Sequence, residues 1–426
     1  MLSLFDLVAG LLVLTATFAW LNHRFLPLPA NIGLLIMGLV ASLLLTGLGM
    51  ALPGLGIRDA VAEKLQQIDF YETVMHGMLA FLLFAGALNA DAARLKRRAP
   101  VIGALASLGV VLSMLVIGGG TWFLARVLGL PLDFVWALVF GALIAPTDPI
   151  AVLTTLKSVD VPSQLETDIS GEALFNDGFA IVMFTLALQL ASRTGEELGL
   201  AKAGALVLLE AGGGACLGYF TGLIAYRALR AIDDYAIEVL ISLALVTGTY
   251  AFADAMQMSG PIAVVVAGVL IGNRGAQCAM SKTTRRYVFG FWRLIDDTLN
   301  AVLFLLIGLE MLVVQFEPSL AWIGLAAIPL ALAGRFASVG IPVALLRRWR
   351  AFAPGTVSVL TWGGVHGGIS VALALSLPDS PARSLILTAT YCVVLFSVII
   401  QGLTLEGVVR RSTRASEEGS SASLSP

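Results

Sequence analysis

Five ionisable residues lie deep within segments that are otherwise apolar. They are Asp148, Glu172, Asp177, Arg335 and His366. A charged side chain near the centre of a bilayer costs roughly 2.5–3.5 kcal/mol or more, so such residues usually bind an ion, carry a proton or form an ion pair. The residue types and their placement therefore indicate ion chemistry inside a membrane.

Asp148 lies between two prolines, in the stretch LIAPTDPIAV (143–152). Proline removes a backbone hydrogen bond and breaks a helix, which leaves carbonyl groups free. Hard monovalent cations prefer oxygen ligands, and carbonyls near Thr147 together with the Asp148 carboxylate would supply them. We expect Thr147 and Asp148 to contribute to a cation site.

Glu172 and Asp177 are five residues apart on one helical segment. Five residues turn a helix by roughly 500°, so the two carboxylates point about 140° apart and cannot easily share a partner. We expect Glu172 to form a buried structural ion pair with Arg335, and Asp177 to face a cavity and bind a cation or a proton. Asn176, directly before Asp177, can hydrogen-bond nearby backbone or tether the crossing.

The composition identifies the class of protein. The chain has 426 residues, of which 58% are hydrophobic and 13% are charged, against roughly 25% charged in soluble domains. This predicts an all-α polytopic membrane protein within a lipid bilayer. A net charge of −2 gives no reason to expect a nucleic-acid partner. Three scattered cysteines and the lack of a His/Cys cluster predict no disulfide, no transition metal and no cofactor.

Hydropathy predicts thirteen membrane spans, followed by a disordered cytoplasmic tail over residues 412–426. Connections on one side, with the span ends beside them, carry 19 Lys and Arg, and the other side carries 6. The basic side faces the cytoplasm, so we expect the C-terminus inside and the N-terminus outside. The predicted spans are 3–21, 31–51, 70–90, 100–125, 134–156, 169–192, 203–229, 236–255, 259–273, 294–315, 320–346, 355–377 and 384–409.

A weak internal repeat relates the two halves of the chain. AFLLFAGAL (80–88) resembles LFLLIGLEM (303–311), about 223 residues later. The same offset carries the Pro-rich break of span 5 into span 12, where TWGGVHGGISVALALSLP (361–378) has four glycines around His366. Paired broken spans in two inverted six-helix repeats are typical of the substrate site of a secondary transporter.

Five motifs resemble the monovalent cation:proton antiporter-1 family, in its bacterial NhaP-type branch. The resemblance covers nearly all of residues 1–411, in the family's order and spacing. The motifs are APTDP (145–149), GEALFNDG (171–178), IDDTLNAVLFLLIGLE (295–310), GRFASV (334–339) and TWGGVHGGISVALALSLP (361–378).

The resemblance implies that spans 5 and 12 unwind and cross, and that Asp177 alternately binds a cation and a proton. Thr147 and Asp148 would help to bind the cation. The Asn176-Asp177 pair, where a related branch has two aspartates, resembles that of family members that exchange ions electroneutrally. It also implies a homodimer in the bacterial inner membrane. Dimerisation helices would lie at about 1–90 and 203–315, and a core bundle at about 100–192 and 320–409. The expected activity is exchange of Na⁺, K⁺ or Li⁺ for H⁺, which is transport and not enzyme catalysis.

Three positions depart from the family pattern. Ala173 replaces a common serine, Ala85 or Gly86 stands where many members have a glutamate, and His366 replaces an arginine. Because a histidine changes its charge near neutral pH, His366 is a candidate for modulating the pH dependence of transport. The alternative is a plain buried histidine with a structural role.

Two other functions compete with exchange. An antiporter fold that has lost coupling would be an uncoupled cation channel or a cation or pH sensor. Asp148 and Asp177 could also form the dyad of an intramembrane aspartyl protease. The Tyr-Asp and Gly-x-Gly-Asp motifs typical of those proteases are absent from the sequence.

Overall fold

The computed structural model describes residues 4–26, 28–52, 57–66, 69–148, 162–192, 200–313 and 320–422. These residues are almost entirely helical. The helices are α1 (Leu4–Phe25), α2 (Ala30–Ala51), α3 (Ile57–Gln66), α4 (Phe70–Leu88), α5 (Ala92–Val127), α6 (Phe134–Ile144), α7 (Ser163–Ser192), α8 (Leu200–Val207 continuing into Gly213–Arg230), α9 (Tyr235–Ala255), α10 (Gly260–Cys278), α11 (Lys282–Glu310), α12 (Ala321–Leu346), α13 (Thr356–Trp362), α14 (Gly368–Leu375) and α15 (Arg383–Phe396 continuing into Gly402–Ala422).

The predicted all-α membrane class is confirmed. Among the described residues, ten helices are long and apolar enough to cross a bilayer. The count of thirteen stays a prediction. Helix α6 is short, α11 carries charged residues along its length, and α13 and α14 are two halves of one predicted span.

The two predicted broken spans meet in extended conformation. Helix α6 ends at Ile144 and α13 ends at Trp362, and the chain is non-helical up to Asp148 and Gly367 respectively. The Asp148 amide donates to the Val365 carbonyl at 2.7 Å, in an antiparallel bridge. Unwinding of both spans is therefore confirmed, whereas Pro149 and the rest of span 5 lie outside the described residues.

Side-chain caps fix where several helices begin. Asp91 accepts from the amides of Ala93 and Arg94 at the start of α5. Ser259 caps α10, whose second residue is Pro261. Such caps satisfy amides that have no partner inside the helix, and proline suits the first turn because it lacks an N–H.

Close helix contacts divide the molecule into two packed groups. Helices α5, α6, α7 and α12–α15 pack together, and α2, α4 and α8–α11 form the other group. Glycine permits the closest approaches. A Cβ at Gly141 of α6 would lie 2.3 Å from the Met114 carbonyl oxygen, and one at Gly218 of α8 would lie 2.0 Å from the Ala263 oxygen. Small residues at helix crossings are typical of membrane proteins.

Several helices extend beyond their predicted ends. Helix α5 begins at Ala92 and α11 at Lys282, so the basic segments predicted as connections are helical turns, each capped by the preceding Asp91 or Ser281. Helix α3 was not predicted. The last helix continues to Ala422, past residue 412 where the predicted disordered tail begins. Residues 423–426 lie outside the described part.

Candidate functional site

Three predicted site residues line one cavity at the helix crossing. Thr147, Asp148 and Asp177 face a space of about 150 Å³, enough for several water molecules at roughly 30 Å³ each. The cavity is completed by the side of α4, the start of α14 and part of α11. Its other lining residues are Leu79, Leu82, Leu83, Gly86, Pro146, Ala173, Leu174, Asp296, Asn300, Leu303, Gly367, Gly368, Ile369 and Ser370.

Asp177 lies in the middle of α7 and is 5% exposed. Its Oδ1 atom has no hydrogen-bond partner among the described residues. A buried carboxylate oxygen without a partner is costly unless a proton or a cation binds it. Asp177 is therefore suited to take either ion.

Asn176 connects α7 to the unwound part of span 5. Its Nδ2 donates to Thr147 Oγ1 at 2.9 Å, and both residues are buried. This bond leaves Asn176 Oδ1 buried without a partner among the described residues. Asn176 thus fixes the position of Thr147, although Asn176 itself does not line the cavity.

Glu172 and Arg335 form a bidentate ion pair within the helix bundle. Arg335 Nη2 donates to Glu172 Oε2 at 2.9 Å, and Nη1 contacts Oε1. Arg335 Nε also donates to the Leu360 carbonyl on α13 at 3.1 Å. A Cβ at Gly364 would lie 2.3 Å from Arg335 Nε, so glycine is needed there. The pair joins α7, α12 and α13 next to the crossing.

His366 is buried at the crossing but does not line the cavity. Its Nδ1 lies 3.2 Å from the Pro146 carbonyl oxygen, which can only accept, so Nδ1 is the donor. The His366 amide donates to Ser397 Oγ at 3.1 Å. His366 therefore links the two unwound segments to α15.

Three polar residues of the cavity were not predicted as site residues. Ser370 Oγ is buried without a partner among the described residues, and the repeat offset of about 223 residues, which carries Thr147 onto Ser370, could have indicated it. Asp296 and Asn300 lie one turn apart on α11, and Asn300 Nδ2 donates to Asp296 Oδ1 at 3.0 Å. Asp296 was assigned to the end of a span, whereas α11 begins fourteen residues earlier, at Lys282.

A second buried ion pair was also missed. Arg98 of α5 donates from Nε to Asp168 Oδ1 at 2.8 Å and from Nη1 to the Ala351 carbonyl at 2.9 Å. The sequence assigned Arg98 to a basic connection. Asp168 lies four residues before Glu172 on α7, so two arginines from different helices neutralise one acidic face.

The charge of the cavity favours a cation. Asp148, Asp177 and Asp296 line it, and no lysine or arginine does so among the described residues. The polar lining atoms are mainly oxygens, which suits Na⁺, K⁺ or Li⁺. No group of three His, Cys, Asp or Glu residues suited to another metal occurs in the described ranges.

Unwound helices that cross at a buried carboxylate define a class of protein, the secondary transporters with broken helices. The family model described as "Sodium/hydrogen exchanger, transmembrane" matches residues 12–411. The chain therefore belongs to the sodium/hydrogen exchanger family.

Similar proteins agree with this family. The Na⁺/H⁺ antiporter NhaP of Pseudomonas aeruginosa is 45% identical, over 95% of this chain and 96% of that protein. The Na⁺/H⁺ antiporter NhaH of Halobacillus aidingensis is 36% identical, over 91% and 93%. In fold, the chain is similar to the sodium proton antiporter MjNhaP1 of Methanocaldococcus jannaschii, with a TM-score of 0.73 and 20% identity over 96% of this chain and 99% of that one.

Proposed function

We propose that this protein is a secondary active transporter that exchanges Na⁺ for H⁺ across the membrane. The observation that carries the proposal is the buried, unpartnered Oδ1 of Asp177 in an oxygen-lined cavity at the crossing of two unwound spans. The curated relatives named as Na⁺/H⁺ antiporters support the choice of ions.

Exchange follows from competition for one carboxylate. When Asp177 releases its proton, the oxygens of Asp148, Thr147 and Ser370 can complete the ligands of a dehydrated cation. When a proton returns, the cation loses its principal ligand and leaves. Because crossing the membrane with a bare buried charge is costly, the site changes sides only when either ion neutralises Asp177.

The stoichiometry and the assembly are part of the proposal. Asparagine at position 176 leaves Asp177 as the acid of the Asn-Asp pair, which favours electroneutral 1:1 exchange. The helices α5–α7 and α12–α15 would move as a core against α2, α4 and α8–α11, and the second group would form the interface of a homodimer. We place the side of the protein whose connections carry most of the Lys and Arg residues, together with the C-terminus, on the cytoplasmic side of a bacterial inner membrane.

K⁺ and Li⁺ are further candidate substrates. The cavity offers oxygen ligands to all three monovalent cations, and because the three carry the same charge, the acidic residues of the cavity do not distinguish them. Ala173 lines the cavity without a hydroxyl, and Gly86 also lines it, so α4 and this turn of α7 contribute no side-chain oxygen. An uncoupled cation channel or sensor on the same fold is the alternative function.

The test is ion-driven proton flux in vesicles that contain the purified protein. An inside-acid pH gradient is imposed, and Na⁺, K⁺ or Li⁺ is added outside at pH values from about 5.5 to 9. We expect Na⁺ to dissipate the gradient with the wild type and not with Asp177→Asn. Asp379→Asn is the matched control, because that carboxylate is 95% exposed and lies outside the cavity.

Current recordings separate exchange from a channel. Electroneutral exchange moves protons without net current, so an ionophore that clamps the membrane potential leaves the rate unchanged. A Na⁺ current without proton movement would establish the channel, and the absence of flux for all three ions would exclude exchange.

A further inference from the structure

We infer that the basic end of the core helices contains a binding site for a phosphate group. The site is a cavity of about 490 Å³ whose lining includes Arg94, Arg97, Arg98, Ser163, Trp349 and Arg350. It is separate from the cation cavity. Its location on the cytoplasmic side rests on the proposed orientation, whereas ligand binding to it can be measured without transport.

Three segments bring their charges to this cavity. Arg94, Arg97 and Arg98 come from the first two turns of α5, Arg350 follows α12, and the third wall is the start of α7. No acidic residue lines the cavity within the described ranges. The positive-inside tendency accounts for arginines on this side, but it does not require them to converge on one concave surface.

The arginines differ in how far they are already engaged. Arg98 is held by Asp168, by the Ala351 carbonyl and by the Phe352 ring at 5.1 Å. Arg94 Nε lies 3.3 Å from Asp91 Oδ2, in a half-exposed pair. Neither Arg97 nor Arg350 forms an ion pair with a residue in the described ranges, so their guanidinium groups are donors available to a ligand.

The start of α7 adds the positive end of a helix dipole, and Glu166 in its first turn offsets part of that field. Ser163 begins a helix of 30 residues, and the positive end of a helix dipole with its free amides attracts anions. Planar guanidinium groups bind the oxygens of a phosphate in bidentate fashion. The combination suits a phosphate oxyanion better than a carboxylate, which offers fewer acceptor oxygens.

The position of Trp349 indicates where the ligand enters. Its side chain is 71% exposed at the rim of the cavity, and exposed tryptophans concentrate at the level of lipid headgroups. The phosphate can therefore belong to an anionic lipid headgroup or to a soluble phosphate. Either ligand would connect α5, α7 and the segment after α12 at one end of the core helices.

Binding to the purified full-length protein tests the site. In one arm, lipid retained from phosphatidylglycerol-containing nanodiscs is measured by native mass spectrometry. In the other, inorganic phosphate is titrated calorimetrically into protein in micelles of a maltoside detergent, which carries no phosphate. The variants are Arg97→Gln with Arg350→Gln, and Arg286→Gln as a control, since Arg286 is an exposed arginine on α11 outside the cavity.

We expect the wild type to retain the phosphate-bearing ligand and the double variant to bind it about tenfold more weakly, with the control unchanged. Retained lipid without phosphate binding assigns the site to a headgroup, and phosphate binding assigns it to a soluble ligand. Absence of both, or an equal loss with Arg286→Gln, overturns the inference. Na⁺/H⁺ exchange is measured separately, so failure of the site leaves the proposed function unaffected.

Discussion

Two carboxylates on α7, less than two turns apart, have opposite environments. Glu172 is held by both terminal nitrogens of Arg335, whereas Asp177 Oδ1 has no partner among the described residues. Both residues are buried. The difference shows that burial alone does not assign a role. A buried acid paired with an arginine holds helices together, whereas a buried acid that faces a cavity can bind a proton or a cation in turn.

The largest effect should come from breaking the paired carboxylate. Glu172→Gln leaves Arg335 charged and buried without its counter-ion, and losing one partner of a buried pair costs about 3–5 kcal/mol. We expect a markedly lower free energy of unfolding, measured by denaturant titration in detergent. The double variant Glu172→Gln with Arg335→Gln should regain part of this loss, and equal stability of wild type and single variant would contradict the assignment.

Asp177→Asn should give the reverse pattern. Removing a buried carboxylate that has no basic partner among the described residues relieves a cost, so the free energy of unfolding should stay the same or rise. Exchange should fall to the background of empty vesicles. If Asp177→Asn instead destabilised the protein as much as Glu172→Gln, the contrast between the two acids would be lost.

Ser370→Ala tests whether a second oxygen in the cavity around Asp177 binds the cation. The variant removes one oxygen from the cavity, at a cost of about 1 kcal/mol in cation binding. We expect a Na⁺ concentration for half-maximal flux that is about fivefold higher, with the maximal rate unchanged. Ser376→Ala is the control, because that hydroxyl donates to the Leu373 carbonyl outside the cavity.

Ala173→Ser should restore the missing oxygen from the other wall of the cavity. Added to Ser370→Ala, it should recover about half of the lost apparent affinity in the same flux assay, since Ala173 lines the same cavity. A further loss would show that the hydroxyl at position 173 crowds the cavity instead of binding the cation.

The smallest effect concerns His366. Its ring bonds the Pro146 carbonyl and does not touch the cavity, so any influence on the ion must pass through the unwound segments. We expect His366→Gln to shift the midpoint of the pH–activity profile by about half a unit. An unchanged profile would exclude pH modulation by this residue.

The sequence predicted those features of the site that arise within a single span. Pro146 and the glycines around His366 marked the unwound spans, and the five-residue spacing of Glu172 and Asp177 separated their directions. The contact of Arg98 with Asp168 could not be predicted, because it joins a residue assigned to a connection with one assigned to a span end. Helix caps at Asp91 and Ser281 lengthened α5 and α11 past the hydrophobic pattern.

The central claim is that Na⁺ and H⁺ compete for Asp177. The most direct test is calorimetric titration of Na⁺ into the purified protein in two buffers with different ionisation enthalpies. The account predicts release of about one proton per bound Na⁺ in the wild type, because the ligand must be deprotonated, and no release with Asp177→Asn. Na⁺ binding without proton release in the wild type, or unchanged release in the variant, would contradict it.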